Sequence, residues 1–261
     1  MLKVDRAHGH LRSLRGELST YFSRQPFEVA VKRDPETRKP IYFVSKAEPV
    51  PDRLAVVAGD VIQNLVTALD HLAYQLVCVS TNDAPPNPHR VYFPIARDAD
   101  TYEKGKRRKL DGASDAAIAA VDELEPYQGG NDTLWTMQQL NNVEKHRLLV
   151  TVGAQAGGVN LGQLGAHLVE STFPPEAVEA LKSMSLYIQP VDKGFPLEPG
   201  FELLLGAPDE PPNPDQQFRF DVALHEPGIA DGRPLIPLLE DFAKTVQLVV
   251  DRLSPLLESQ A

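Results

Sequence analysis

The sequence predicts an α+β fold, with a helical bundle, an antiparallel β-sheet after it and a last helix that packs back. Three observations predict it. Apolar residues recur at three- and four-residue spacing in four stretches of the first 150 residues. After residue 150 the pattern changes to short β-rich runs separated by Gly and Pro. A strongly amphipathic stretch from about Pro234 to Leu257 closes the chain.

The elements follow in order. Leu11, Leu14, Leu18, Tyr21 and Phe22 predict an amphipathic helix over 3–24, stopped by Pro26. FEVAV and IYFVS flank Asp34-Pro35-Glu36-Thr37, a turn sequence, and predict a hairpin. The longest helical pattern runs from Asp52, its N-cap, to Ser80 and is apolar on most of its circumference, as a central helix must be. A Pro-rich loop over 81–97 contains the apolar run VYFPI. Ser114 caps a helix to about Leu124, and Asn131 or Asp132 caps another to about Leu149. Strands are expected at 147–155, 163–170, 184–190, 200–206 and 216–224, and a short helix at 174–183. Leu239, Phe242, Val246, Val249, Val250 and Leu253 form the stripe of the terminal helix. A helix that apolar needs a packing partner. The expectation is therefore one compact unit over 1–261, with 1–150 mainly helical around a hairpin near 27–48, and 151–261 β-rich plus the last helix.

Composition limits the function classes. A chain of 261 residues is long enough to bury a core without disulfides or a structural metal. Its single cysteine, Cys78, lies in an apolar run and reads as a buried thiol in a reducing compartment. The first residues carry a charge every few positions and predict no secretory signal, so the expectation is a cytoplasmic protein. No apolar run is long enough for a membrane helix. A net charge of −10 disfavours broad, non-specific nucleic-acid binding but leaves room for a local basic site.

Two polar motifs interrupt the apolar helices, NLVTALDHL from Asn64 to Leu72 and NNVEKHR from Asn141 to Arg147. On the first helix Asp60, Asn64 and His71 stand at i, i+4 and i+11, one face, with Thr67 between them. On the second, Gln138, Asn142 and His146 stand at i, i+4 and i+8. If the two stripes face each other, Asp60, Asn64, His71, Asn142 and His146 make one cluster, joined by at least one polar contact. Histidine suits proton transfer because its charge changes near neutral pH. Lys145 and Arg147 beside it suit phosphate. The other reading is structural: buried Asn and His pair only to fix helix register. Two histidines and a carboxylate without a recognised ligand spacing predict no metal site, and no cofactor motif is present.

The two motifs, the hairpin and the terminal helix together resemble a group of uncharacterised bacterial and phage proteins, over most of the chain. More distantly, a His near the end of a long helix in a small bundle is similar to the HEPN superfamily (higher eukaryotes and prokaryotes nucleotide-binding), many of whose members are metal-independent ribonucleases or defence and toxin components. The resemblance implies a HEPN-like bundle that acts on or binds RNA or a nucleotide. In that reading His71 and His146 are acid and base, with Asp60, Asn64 and Asn142 around them, and Lys145 and Arg147 hold phosphate. The HEPN motif places an Arg four to six residues before its His. Here those positions hold Val66, Leu65 and Asn64 before His71, and Asn141, Leu140 and Gln139 before His146. The alternative is a non-catalytic ligand- or partner-binding protein in which the same cluster is structural.

One further signal is local. Lys104 to Lys109 reads KGKRRK, either a basic patch for RNA phosphates or a solvated loop or helix end. The glycines from Gly153 to Gly165 lack the order of a phosphate-binding loop and read as turns.

Overall fold

A computed structural model of the chain describes residues 2–160, 165–166, 169, 172–183, 187–188, 194–209, 211–213 and 216–258. The fold is α+β. The chain forms two compact units, each assembled from separated stretches, where the sequence led to the expectation of one over 1–261. Unit 1 comprises Met1–Glu17, Asp52–Leu149 and Ile236–Ala261; unit 2 comprises Leu18–Pro51 and Val150–Leu235. The change of pattern at residue 150 is thus the passage from one unit to the other.

Unit 1 is helical. It contains the start of α1 (Leu2–Phe22), then α2 (Asp52–Thr81), α3 (Ala99–Lys109), α4 (Asp115–Asp122) and α5 (Asp132–Glu144). α6 (Pro175–Ser183) belongs to unit 2 by sequence, and α7 (Leu235–Leu253) and α8 (Pro255–Glu258) return to unit 1. α2 is central for the reason its composition gave. Val61, Ile62, Leu65, Leu69 and Leu72 are all fully buried, and each such side chain contributes roughly 1.5–3 kcal/mol relative to exposure. The stripe of α7 is buried as the periodicity demanded, with Leu239, Phe242, Val246 and Leu253 wholly out of solvent. Arg15 pairs with Glu240 and Arg252 with Glu123, linking α7 to other parts of unit 1. These pairs are solvent-exposed and contribute little to stability.

Two local features differ from the sequence reading. The helix α3 itself was not anticipated, and KGKRRK is its C-terminal half, which is the helix end that was one of the expected placements. Asp98 caps that helix by accepting from Thr101 N at 2.7 Å, and the basic residues fall in its last turns, where they oppose the negative end of the helix dipole. α5 stops at Glu144 rather than continuing to Leu149. His146 N and Arg147 N both donate to Val143 O at 3.0 Å, which closes the helix in a tight turn before the chain leaves unit 1.

Among the described residues unit 2 holds two antiparallel sheets, in the orders β1-β2-β5 and β4-β3-β6-β7. β1 (Phe27–Arg33) and β2 (Pro40–Ala47) form the expected hairpin, in register from Arg33 opposite Pro40 to Val29 opposite Val44, with a one-residue shift before Glu28 opposite Lys46 and Phe27 opposite Ala47. Asp34 builds its turn: Oδ1 accepts from Glu36 N at 3.0 Å and Thr37 N at 2.7 Å, and these donors hold its carboxyl below the usual range. β5 (Glu202–Leu205) joins this hairpin. The second sheet contains β3 (Thr151–Asn160), β4 (Tyr187–Ile188), β6 (Phe218–Glu226) and β7 (Ala230–Pro234).

The strand expected at 147–155 therefore starts later and runs to Asn160. The strand expected at 163–170 is corrected: Gly165, Ala166 and Val169 are helical, and the other residues of that range lie outside the described ones. Of 184–190, Tyr187 and Ile188 are strand and the rest lie outside the described residues. β7 had no strand signal, since its ADGRP sequence reads as a turn. Pairing with β6 supplies what local propensity lacks, Ala223 opposite Pro234 and Glu226 opposite Ala230. Glu226, 2% exposed, accepts from Val150 N at 2.8 Å and anchors the approach to β3.

Candidate functional site

The site is built on one face of α2. Residues 60, 64, 68, 71 and 75 recur at four- and three-residue steps, so Asp60, Asn64, Ala68, His71 and Gln75 form one row. That row faces α1. His10 Nδ1 stands 3.9 Å from Asp60 Oδ2, and Lys3 Nζ donates to Asn64 Oδ1 at 3.5 Å. Asn64 Nδ2 donates to the Asp60 carbonyl at 2.8 Å, which fixes the amide so that its oxygen points toward Lys3. Thr67 spends its hydroxyl on the Gln63 carbonyl at 2.7 Å and stays out of the site.

Between the two helices lies a groove of about 730 Å³. Its wall is mostly apolar, with Leu2 and Ala68 contributing, and its polar groups are Lys3, Arg6, Asn64, His71, Tyr74 and Gln75. Among the described residues no carboxylate lines it, although the protein as a whole carries a net charge of −10. His71 is exposed at this groove, so its ring is open to a ligand.

α2 and α5 are neighbours, as expected, but their polar stripes do not meet. Gly59 marks their close approach: a Cβ built there would lie 2.7 Å from Glu144 Cγ. Burial and the Asp60 charge push the Glu144 carboxyl above the usual range. Asn142 is exposed and accepts from Gln138 Nε2 at 3.1 Å. His146 sits beyond the end of α5 on the closing turn, exposed, and so leaves the stripe of Gln138 and Asn142. Arg147 Nη1 donates to the Leu148 carbonyl at 3.0 Å. Neither Asn142, Lys145, His146 nor Arg147 lines the α1–α2 groove. Among the described residues no hydrogen bond joins Asp60, Asn64 or His71 to Asn142 or His146. The shared cluster is therefore corrected to a groove on α1 and α2, with Asn142, Lys145, His146 and Arg147 outside its lining. The buried polar residue of NNVEKHR is instead Asn141, 1% exposed, whose side chain meets no protein hydrogen-bond partner.

The other side of His71 holds a second charged group. Asp70 Oδ1 accepts from Phe93 N at 3.0 Å and pins the buried run Val91, Phe93, Ile95 against α2. Burial pushes the Asp70 carboxyl up, opposed by that hydrogen bond and by the positive charges of Lys145 and Lys109. Lys145 thus lies near enough to Asp70 for its charge to act on that carboxyl. Lys109 Nζ donates to the Ile95 carbonyl at 3.0 Å, and burial pulls its ammonium below the usual lysine range.

The sequence reading missed Lys3, Arg6 and His10. A signal was present, since 3, 6 and 10 stand at i, i+3 and i+7 on α1, beside the apolar row Val4, Ala7, Leu11 and Leu14. Among the described residues no group of three or more His, Cys, Asp or Glu side chains is placed to hold a metal ion, and no helix is long and apolar enough to cross a membrane. No protein-family model, curated protein or solved structure matches this chain.

Proposed function

We propose that the protein binds a nucleotide or a short RNA segment in the α1–α2 groove, and that it does so without cleaving it. The observation that carries this reading is the groove's lining: Lys3, Arg6 and His71 on an apolar wall, with no carboxylate among the described residues, in an acidic protein. Its size of about 730 Å³ falls within the roughly 300–1,000 Å³ of small-molecule sites. Lys3 and Arg6 suit phosphate oxygens, Arg6 through its planar fork. Tyr74 offers a ring face for a base, and Asn64 and Gln75 offer amides for base edges. The HEPN-like ribonuclease reading needs two proton-transfer groups at one phosphate. His71 is in the groove lining and His146 is not, which favours binding over cleavage.

The test is calorimetric titration of the full chain with AMP, ATP and a short single-stranded RNA at low salt, beside a cleavage assay. Saturable binding is expected, weakened roughly tenfold by Arg6→Ala or Lys3→Ala, the loss of one charge-assisted contact at a partly exposed site. His146→Ala should bind as the wild type does, and the RNA should stay intact. Absence of saturable binding, or binding indifferent to Lys3 and Arg6, overturns the proposal. Cleavage that disappears in His146→Ala would establish the ribonuclease reading in its place.

A further inference from the structure

We infer that a second, smaller pocket, between the run 94–97 and α3, is a binding site for a single phosphate dianion. The pocket is separate from the α1–α2 groove and shares none of its lining residues. Its volume is about 270 Å³, below the roughly 300–1,000 Å³ of sites for whole small molecules, so it suits one compact group.

Charge accounting identifies the group. Among the described residues four cations line the pocket, Arg97, Lys106, Arg108 and Lys109, and no carboxylate does. Two of the four are already compensated. Arg97 Nε donates to Asp98 Oδ2 at 2.8 Å and to Thr101 Oγ1 at 3.2 Å. Lys106 Nζ binds Glu103 Oε1 at 2.9 Å and Asp122 Oδ2 at 2.8 Å. The other two, Arg108 and Lys109, form no ion pair with a carboxylate among the described residues. Among the described residues Lys109, half-buried, donates only to the Ile95 carbonyl, and the Asp70 charge acts on its ammonium without an ion pair. Two cations without an ion-pair partner among the described residues, at one concave site, match the charge of a phosphate dianion. Thr101, also in the lining, adds a hydroxyl. The floor is rigid: Tyr102 is buried, donates to Asp122 Oδ1 at 2.6 Å, and lies under the Lys106 ammonium at 5.3 Å from its ring centroid.

Gly105 supplies an independent indication. It stands in the middle of α3, where Gly destabilises a helix relative to Ala. Its backbone is not left-handed, and a Cβ built on it meets nothing within 4 Å. Neither conformation nor packing within the protein requires a glycine there, yet the residue lines the pocket. The absent side chain leaves the pocket open.

The experiment uses the full chain and inorganic phosphate, followed by ³¹P line broadening and calorimetry at low salt, with a 5′-phosphorylated and a 5′-hydroxyl dinucleotide as further arms. Orthophosphate should bind saturably. Arg108→Ala should weaken it roughly tenfold or more, the range for a lost charge-assisted hydrogen bond. Gly105→Leu should block the pocket while leaving the melting temperature unchanged or raised, since the new side chain enters open space and removes a helix-interior glycine. Lys244→Ala, at an exposed lysine of α7 outside both linings, should leave phosphate binding unchanged. A dinucleotide that competes only when 5′-phosphorylated identifies a terminal phosphate as the source; competition by neither assigns the site to the free ion. The inference is overturned if orthophosphate does not bind, or if binding survives both Arg108→Ala and Gly105→Leu. Should Gly105→Leu lower the melting temperature, Arg108→Ala, at an exposed residue, decides alone.

Discussion

Gly153→Ala tests the packing of unit 2 directly. Gly153 is buried in β3 against Phe27 of β1. A Cβ there would lie 2.7 Å from Phe27 Cε1 and nearer still to Cζ, whereas carbon contacts are optimal at about 3.5–4.0 Å. The ring has no room to retreat. It is packed edge-on to Tyr21 at 6.3 Å between centroids, with Phe22 at 6.4 Å and Phe220 at 5.0 Å. Overpacking of this kind costs about 1–3 kcal/mol. Alanine returns about 0.4–1 kcal/mol by restricting the unfolded chain, so the net loss is about 1–2 kcal/mol. With a urea dependence of roughly 1–3 kcal/mol per molar, the midpoint of the unit 2 transition should fall by about 0.5–1 M, read by far-ultraviolet circular dichroism. Phe27→Leu in the Gly153→Ala background should cost less than Phe27→Leu alone, because the clash goes with the ring. An unchanged or higher midpoint, or strict additivity of the two substitutions, refutes the reasoning.

Two further outcomes follow from titrating groups. Burial, and secondarily the Glu48 charge, push the Tyr21 phenol up to about 12; the hydroxyl donates to the Glu48 carbonyl at 2.8 Å. A raised folded-state pKa means a stabilising contribution complete below the unfolded value of roughly 10 and lost as pH rises through about 12. Tyr21→Phe should flatten the alkaline stability loss across that window, and superimposable curves would count against it. Asp70 is raised by burial, so its neutral form is favoured by folding, and its contribution is present at acid pH and lost as pH rises through the folded value. Asp70→Asn keeps an acceptor for Phe93 N without the buried charge and should match or exceed wild-type stability at pH 7, while Asp70→Ala should lose about 1–3 kcal/mol by orphaning that N–H. Equal loss in both variants would show that the charge itself is what stabilises.

The sequence by itself determined the elements whose signal is local and repeated. α2 runs Asp52–Thr81 where periodicity predicted 52–80, and the hairpin turns at Asp34 because an Asx side chain captures two backbone N–H groups there. The stripe of α7 was equally legible, since one helix face is set by spacing alone. The stripe of Asp60, Asn64 and His71 was legible as a face, but not what it faces. Tertiary structure turned it toward Lys3 and His10 of α1, a non-local partner that the spacing of the stripe does not name. α3 was hidden because its eleven residues bury only Tyr102, so no apolar period announces it; a cap at Asp98 and charges matched to the helix dipole hold it instead. β7 exists only because β6 offers unpaired backbone groups, a non-local partner that no window of sequence contains. His146 left the predicted site for a different reason. The helix pattern continues past Glu144, but the N–H groups of His146 and Arg147 both turn back to the Val143 carbonyl, and that closure ends α5 before His146.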